Sequence, residues 1–345
     1  MNPSRVWALL DRALRGRNEH MRRDWDRRAR ADARFFIAGG SSGSDREFWE
    51  SGERELDGAI LRDVELLPGA RALEIGCGMG RLLRPLAPRV AKAWGVDISP
   101  EMVSRAREAL ADLSNVEVLP TRGGLAPIPD ASLDLVFSFI VFQHIPDKPS
   151  VSAYIGEAGR VLKGGGVFRF QVDGRPAAKS PADTWFGVRY EADEIRRELE
   201  SARFEVVDVW GEGTQTLLLT ARRAAEPARP ASAAIRVRRR AWSREPVRAL
   251  LARLGPSAED RLDGVLRGEC SLRSLAGPWI ESTRTLPAGE FVERAYAVVL
   301  GREADADGLG FYRRRASGRR ARESALDSLF SSGELEDRLR PRVES

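Results

Sequence analysis

The sequence predicts an α/β protein: a doubly wound, mostly parallel sheet of seven strands, followed by a small all-α C-terminal unit. Three observations carry this expectation. Short β-rich runs alternate with helical stretches between about residues 71 and 202, which is the pattern of parallel strands covered by helices on both faces. Two further β-rich runs, Phe204 to Trp210 and Thr214 to Thr220, flank Gly211-Glu212-Gly213 and read as a hairpin that adds an antiparallel strand. At 345 residues the chain is longer than one ordinary domain, and its last third is helical in pattern.

The elements follow in order. From Arg5 to about Ala33 an arginine-rich stretch carries Val6, Trp7, Leu10 and Leu14 at helical spacing, which predicts one or two amphipathic helices lying over the core as a lid. A break at Gly39 to Gly43 precedes Asp45, a candidate N-cap, and a helix through Phe48, Leu56, Ile60 and Val64 that ends before Pro68 and Gly69. The five predicted parallel strands are Arg71 to Ile75, Ala91 to Asp97, Val116 to Leu119, Leu133 to Phe139 and Gly166 to Val172. Helices near Arg81 to Leu86, Pro100 to Leu113, Pro149 to Leu162 and Ala192 to Ala202 separate or follow them. After Ala221 the composition turns to Ala, Pro and Arg, including Arg238-Arg239-Arg240, and reads as a linker that need not fold. The resulting division is a helical lid at 1–45, the α/β domain at 46–222, a basic linker and helical region at 223–285 and a helical accessory domain at 286–345.

Composition excludes several classes. Apolar residues make up 42% and charged residues 31%, enough of each for a buried core and a solvated surface. No run approaches the roughly 18 apolar residues of a membrane span, and the short apolar run Val6 to Leu10 is ended by Asp11 and Arg12, so neither secretion nor insertion is expected. Cys77 and Cys270 stand far apart in different predicted domains, which argues against a disulfide and for a cytoplasmic location. With two cysteines and two histidines, zinc sites of the usual spacing are excluded while a carboxylate-bound metal is not, and no metal site is assigned. The formal charge of +5 permits acidic partners without naming one.

The chemistry-bearing segment is Ala72-Leu73-Glu74-Ile75-Gly76-Cys77-Gly78-Met79-Gly80-Arg81, a strand running into a helix through three glycines. Glu74 beside the turn would repel a pyrophosphate and favour a cation, and Arg81 stands where a dinucleotide fingerprint wants glycine. The next strand ends in Gly95-Val96-Asp97-Ile98-Ser99-Pro100, placing Asp97 where a carboxylate can accept two ribose hydroxyls and Ile98 where it can cover an adenine face.

Together these elements resemble the class I S-adenosylmethionine-dependent methyltransferases. The resemblance continues through Asp130 to Ser138, Phe142-Gln143-His144-Ile145 and Val161 to Gly166, and covers about residues 45 to 222. It implies the Rossmann-like methyltransferase fold and S-adenosyl-L-methionine as cofactor. Glu74, Gly76, Cys77 and Gly78 would line its methionine and ribose side, Asp97 would hold the ribose, and Ile98 would lie on the adenine. The family often has an acidic residue before the fourth strand for the adenine amino group; Thr121 to Leu125 offer none, so a backbone contact near Gly124 and Leu125 is expected.

Methyl transfer from a sulfonium is an in-line displacement, for which alignment and exclusion of water matter most. His144, after the fourth strand, is the candidate base for an oxygen acceptor, with a turn or packing role as the competing reading. Trp185, Phe186 and Tyr190, within Asp173 to Tyr190, are candidates to cover an acceptor or simply to close the core.

The C-terminal segment from Phe291 through Leu300-Gly301-Arg302, Asp305 to Leu309 and Phe311-Tyr312 to Glu334 resembles domain-of-unknown-function family 4214, a small helical domain found in bacterial proteins, some linked to cell-surface glycans. Asp305, Asp307 and Gly308 lack the later oxygen ligands of a calcium loop and read as a turn. This unit is expected to recruit a protein partner. The arginines between Arg222 and Arg253 have no interleaved aromatics beyond Trp242, so a solvated linker is favoured over nucleic acid or membrane contact. The leading expectation is methylation of a small molecule or glycan precursor, possibly in surface-polysaccharide modification. The alternatives are a quinone or other lipid-soluble acceptor, or a non-catalytic scaffold that senses the cofactor.

Overall fold

The computed structural model describes residues 3–38, 44–176, 182–237, 242–266, 271–313, 319–330 and 332–339. The Gly39 to Gly43 break, Arg238 to Arg240, Cys270 and the centre of the segment 173–190 therefore lie outside the described residues, as does the apolar face proposed from Val6, Trp7, Leu10 and Leu14. The chain divides into two compact units, residues 1–209 with 218–239, and residues 210–217 with 240–345.

The first unit opens with α1 (Pro3–Ala38), which is two helices meeting at Asp32, whose backbone is extended at φ −165° and ψ 90°. The Asp32 carboxylate accepts from Phe35 N at 3.0 Å, so the aspartate ends one helix and caps the next. In α2 (Asp45–Glu55) the cap is Ser44, one residue before the expected Asp45. Ser44 and Glu47 close a reciprocal capping box, which satisfies two backbone N–H groups where Asp45 would satisfy one.

The strands are β1 (Val64–Leu66), β2 (Arg71–Ile75), β3 (Lys92–Asp97), β4 (Val116–Pro120), β5 (Leu133–Ser138), β6 (Leu162–Val172), β7 (Phe204–Trp210), β8 (Leu217–Arg223) and β9 (Ile235–Val237). Seven of them form one sheet in the order β4-β3-β2-β5-β6-β8-β7. The pairs β2–β3, β2–β5, β3–β4 and β5–β6 are parallel, and β5 is buried along its whole length, as expected of a strand covered on both faces. Between strands run α3 (Leu83–Leu86), α4 (Pro100–Ala109), α5 (Lys148–Val161) and α6 (Ala192–Ser201). The chain moves from β2 to β3 on one side and returns to β5 on the other, so a switch point opens at the carboxyl end of β2, where doubly wound sheets bind ligands.

Residues 223–237 correct the expectation of a linker that need not fold. β9 pairs antiparallel with β1, Val64 opposite Val237 and Leu66 opposite Ile235. Arg229 Nη1 donates to the carbonyls of Gly159, Arg160 and Leu162, at 3.2, 3.1 and 2.6 Å. Gly159 and Arg160 stand in the last turn of α5 and Leu162 opens β6; Gly159 O also accepts from Arg223 Nε at 3.1 Å and Arg160 O from Ala131 N at 3.0 Å, so Arg229 shares in satisfying the helix C-terminus.

The second unit comprises α7 (Arg244–Leu254), α8 (Pro256–Glu259), α9 (Leu262–Leu266), α10 (Gly277–Ser282), α11 (Ala288–Val299), α12 (Ala306–Arg313), α13 (Arg319–Phe330) and α14 (Gly333–Leu339). Val247, Leu251, Phe291, Val299, Leu326 and Leu335 are among its buried apolar residues. Asp305 Oδ1 accepts from Gly308 N at 2.7 Å, the geometry of a capped turn. Among the described residues no helix is long and apolar enough to cross a membrane.

Candidate active site

At the switch point β2 ends in a turn that only glycine fits. Gly76 sits at φ +76°, and a Cβ there would stand 2.4 Å from Val141 Cγ2. Gly78 sits at φ +53°, where a Cβ would meet Ile37 Cδ1 at 2.8 Å. Gly76 N and Cys77 N donate to Val96 O at 2.7 and 3.1 Å, and Gly78 N donates to Asp97 Oδ2 at 2.9 Å. The turn is thus fastened to the end of β3. Ser99 N donates to Asp97 Oδ1 at 2.8 Å, which leaves further lone pairs on both oxygens for a ligand hydroxyl.

Around this turn lies a cavity. Glu74, Gly76, Cys77, Gly78, Asp97 and Ile98 all line it. Both carboxylates are almost wholly buried. Burial raises the Glu74 carboxyl to about 8, with the Arg81 charge opposing the rise and Asp97 adding to it. Burial raises Asp97 to about 6, held down by its backbone N–H donors. Glu74 Oε2 has no hydrogen-bond partner. Cys77 is a buried free cysteine whose thiol burial pushes up, so it is a packing residue of the turn rather than a nucleophile.

Gly124 and Leu125 do not line the cavity. Leu125 is buried and its N–H donates to Glu157 Oε2 at 2.8 Å, while Gly124 N donates to Thr121 Oγ1 at 3.1 Å. Their backbones are committed to closing the loop after β4, and Thr121 reaches the cavity instead, beside Tyr154 from α5.

His144 also stands outside the cavity lining. Its Nδ1 lies 2.7 Å from the Trp185 carbonyl, so Nδ1 carries the proton. Its Nε2 accepts from the Gln143 side chain at 3.1 Å. The chain continues as Gln171 Nε2 donates to Gln143 Oε1 at 2.9 Å and Ile140 N donates to Gln171 Oε1 at 3.0 Å. Both ring nitrogens are therefore engaged, and burial lowers the imidazole below its ordinary value. This geometry suits positioning: His144 packs edge-on to Trp25 and tilted on Trp185, both with ring centroids just over 5 Å away. Trp185 thereby joins the site's surroundings; Phe186 is largely exposed, and Tyr190 is buried with Lys148 4.9 Å above its ring.

The helices of α1 supply walls that no local pattern announces. Met21, Trp25, Phe36 and Ile37 line the cavity, opposite Phe139, Ile140, Val141 and Ile145 from the segment after β5. Three ties hold α1 down. Asn18 Nδ2 donates to Arg122 O at 2.9 Å, and the absence of a side chain at Gly123 gives it room. Asp26 Oδ1 accepts from Ser99 Oγ and Glu101 N, both at 3.0 Å, placing a carboxylate at the N-terminus of α4. Arg28 Nη1 donates to Thr184 O at 3.0 Å while Asp24 accepts from the Thr184 hydroxyl, and the Arg28 guanidinium lies over Trp25 and Trp185. The sequence reading expected a lid in this stretch and named none of the residues that line the cavity.

The strand order, the glycine turn at the switch point and two buried carboxylates at adjacent strand ends define a methyltransferase-fold domain. Comparison with known proteins agrees: residues 73–170 match the family described as a methyltransferase domain. Over 41% of the chain, it is 33% identical to a probable S-adenosylmethionine-dependent methyltransferase of Mycolicibacterium smegmatis, covering 55% of that protein. It is 31% identical to the malonyl-[acyl-carrier protein] O-methyltransferase of Serratia marcescens over 39% of the chain and 54% of the relative. Identity to the demethylmenaquinone methyltransferase of Tropheryma whipplei is 33%, over 31% of the chain and 44% of the relative. The chain thus spans about half the length of the curated relatives it matches.

Proposed function

We propose that the protein transfers a methyl group from S-adenosyl-L-methionine to a small, largely apolar acceptor. The observation that carries the cofactor assignment is the pair of buried carboxylates flanking the glycine turn, one of them with an unpartnered oxygen. A buried unpaired acid is costly unless a ligand supplies a cation or donor, and a phosphate-bearing nucleotide would bring like charge instead. Asp97 would accept the ribose hydroxyls, Ile98 with Tyr154 and Thr121 would surround the adenine, and Glu74 would face the methionine end. When bound, the cofactor supplies an electrophilic methyl group. The protein's part is to hold the acceptor in line with it and exclude water.

The acceptor class rests on the walls that remain. Trp25, Phe36, Ile37, Phe139 and Ile145 offer apolar and aromatic surface, suited to a planar ring and poor for the hydroxyls of a sugar. A relative named for demethylmenaquinone points the same way. A glycan-precursor acceptor, the expectation attached to the C-terminal resemblance, is the second reading, and the accessory helices are assigned to partner recruitment in either case. Calorimetric titration with S-adenosylhomocysteine beside NAD and ATP tests the cofactor; binding of the first alone is expected. Transfer of labelled methyl into apolar phenols and quinols, with nucleotide sugars as the competing panel, tests the acceptor. Labelling of the sugars alone would reverse the choice.

A further inference from the structure

Among the described residues, the large apolar side chains that stand exposed are Phe35 at 46% and Phe186 at 57%. Both are held out by capped turns. Asp32 Oδ1 accepts from Phe35 N at 3.0 Å. Asp183 Oδ1 accepts from Trp185 N at 2.7 Å and from Phe186 N at 2.6 Å, while Asp183 N donates to Phe186 O at 2.9 Å. The two tips flank one aromatic seam: the Phe35 ring packs edge-on to Phe36 at 5.2 Å, Phe36 packs edge-on to Trp185 at 5.7 Å, and Phe186 follows Trp185 in the chain. Phe36 lines the cavity, so the exposed tips stand beside its wall.

The stretch of α1 that leads to Phe35 turns a basic face to water. Arg23, Arg27 and Arg30 recur at the spacing of one helix face, and their side chains are 73%, 76% and 68% exposed. The acids paired with Arg27 and Arg30 point the other way: Asp24 and Asp26 are 16% and 12% exposed, and are spent on the Thr184 hydroxyl and on Ser99 Oγ and Glu101 N. Glu19 offsets Arg23 in part, and the exposed Asp32 and Asp183 at the base of the tips accept the backbone N–H groups of Phe35, Trp185 and Phe186. Two separate aromatic tips do not make the broad apolar patch of a protein interface. A bilayer takes side chains one at a time, aromatic rings at the headgroup level and guanidinia against anionic headgroups. We propose that Phe35 and Phe186, with Arg23, Arg27 and Arg30, form a docking surface for an anionic lipid bilayer, which brings Phe36 of the cavity wall close to lipid. This surface goes beyond the methyl-transfer reading and needs no bound cofactor.

The test is flotation of the full chain with vesicles of phosphatidylglycerol mixed with phosphatidylcholine, beside vesicles of phosphatidylcholine alone, at low and high salt. The wild type is expected to float with the anionic vesicles, to bind the zwitterionic ones at least about tenfold more weakly, and to be released by salt. Replacing both tips, Phe35→Ser with Phe186→Ser, should weaken binding to anionic vesicles at least about tenfold, the scale of burying two half-exposed rings. The triple variant Arg23→Gln, Arg27→Gln, Arg30→Gln should bind both vesicle types alike, since each arginine near an anionic surface contributes on the order of fivefold. All five side chains are exposed, and an unchanged thermal unfolding midpoint shows that each variant is folded; a variant that unfolds is replaced by its single substitutions. Failure of the wild type to float with either vesicle, equal binding of wild type and the two-tip variant, or equal wild-type binding to anionic and zwitterionic vesicles would each overturn the docking surface. A wild type that binds S-adenosylhomocysteine but no vesicle would refute this inference and leave the methyl-transfer reading standing, so the two fail separately.

Discussion

Replacing Glu74 by Gln should stabilise the ligand-free protein in alkaline solution. The Glu74 carboxyl is buried, is raised from 4.5 to about 8 chiefly by desolvation, and has an oxygen with no partner. Below the unfolded value near 4.5, both folded and unfolded chains hold the proton, and the group adds no pH dependence. Between there and about 8 the folded chain keeps the proton and the unfolded chain loses it, so stability falls as pH rises by about 1.4 kcal/mol per pH unit. Above about 8 the loss is complete, on the order of 5 kcal/mol. Gln is close in shape to the protonated acid and cannot ionise, so the variant should lack this slope. Denaturant unfolding of the wild type and Glu74→Gln at pH 5, 7 and 9, without ligand, reads the effect: similar stabilities at pH 5 and a gap opening in favour of the variant by pH 9. Parallel stability curves would refute the argument, because they would mean that Glu74 ionises in the folded protein as freely as in water. The same variant should bind S-adenosylhomocysteine more weakly despite its greater stability, since the anion that would meet the ammonium is gone.

Three further outcomes follow from the geometry. Asp97→Ala should weaken S-adenosylhomocysteine at least about tenfold by calorimetry, because it removes the proposed ribose acceptor and frees Gly78 N and Ser99 N; His144→Ala should change that affinity less than about threefold, and comparable losses would reverse the assigned roles. His144→Gln should leave the pH profile of methyl transfer unchanged, since Nε2 is occupied by Gln143 and burial disfavours the imidazolium; disappearance of a limb of that profile would restore His144 as a base. Arg229→Ala removes a donor shared by the carbonyls of Gly159, Arg160 and Leu162, the first two of which keep Arg223 Nε and Ala131 N, and should lower denaturation stability by about 1 kcal/mol; an unchanged midpoint would show that solvent replaces the guanidinium without loss.

The sequence by itself determined the alternation of strands and helices, the glycine turn and the two acids beside it. Each is a local signal: strand runs carry their own hydrophobic period, and a turn at φ +76° under Val141 demands glycine wherever the rest of the chain goes. It also marked helices before residue 45, and missed Ser44 as a cap by one position. What only the tertiary structure decided are the contacts between residues far apart in sequence. Trp25 and Phe36 reach the cavity because Asn18, Asp26 and Arg28 fasten α1 to loops more than 70 residues away. Arg81, recognisable in sequence only as a residue that is not glycine, becomes a fixed guanidinium because α2 offers Ser51 and Glu55 over Gly52. Gly124 and Leu125 fall outside the cavity lining because Thr121 and Glu157 claim their N–H groups, and the ring nitrogens of His144 are taken up by Gln143 and the Trp185 carbonyl. The Ala, Pro and Arg composition after Ala221 says nothing of β1, whose three residues give β9 an edge to pair with. Periodicity and turn chemistry are written into neighbouring residues, whereas the partner of a buried polar group is chosen by whichever distant segment the fold brings within hydrogen-bond reach.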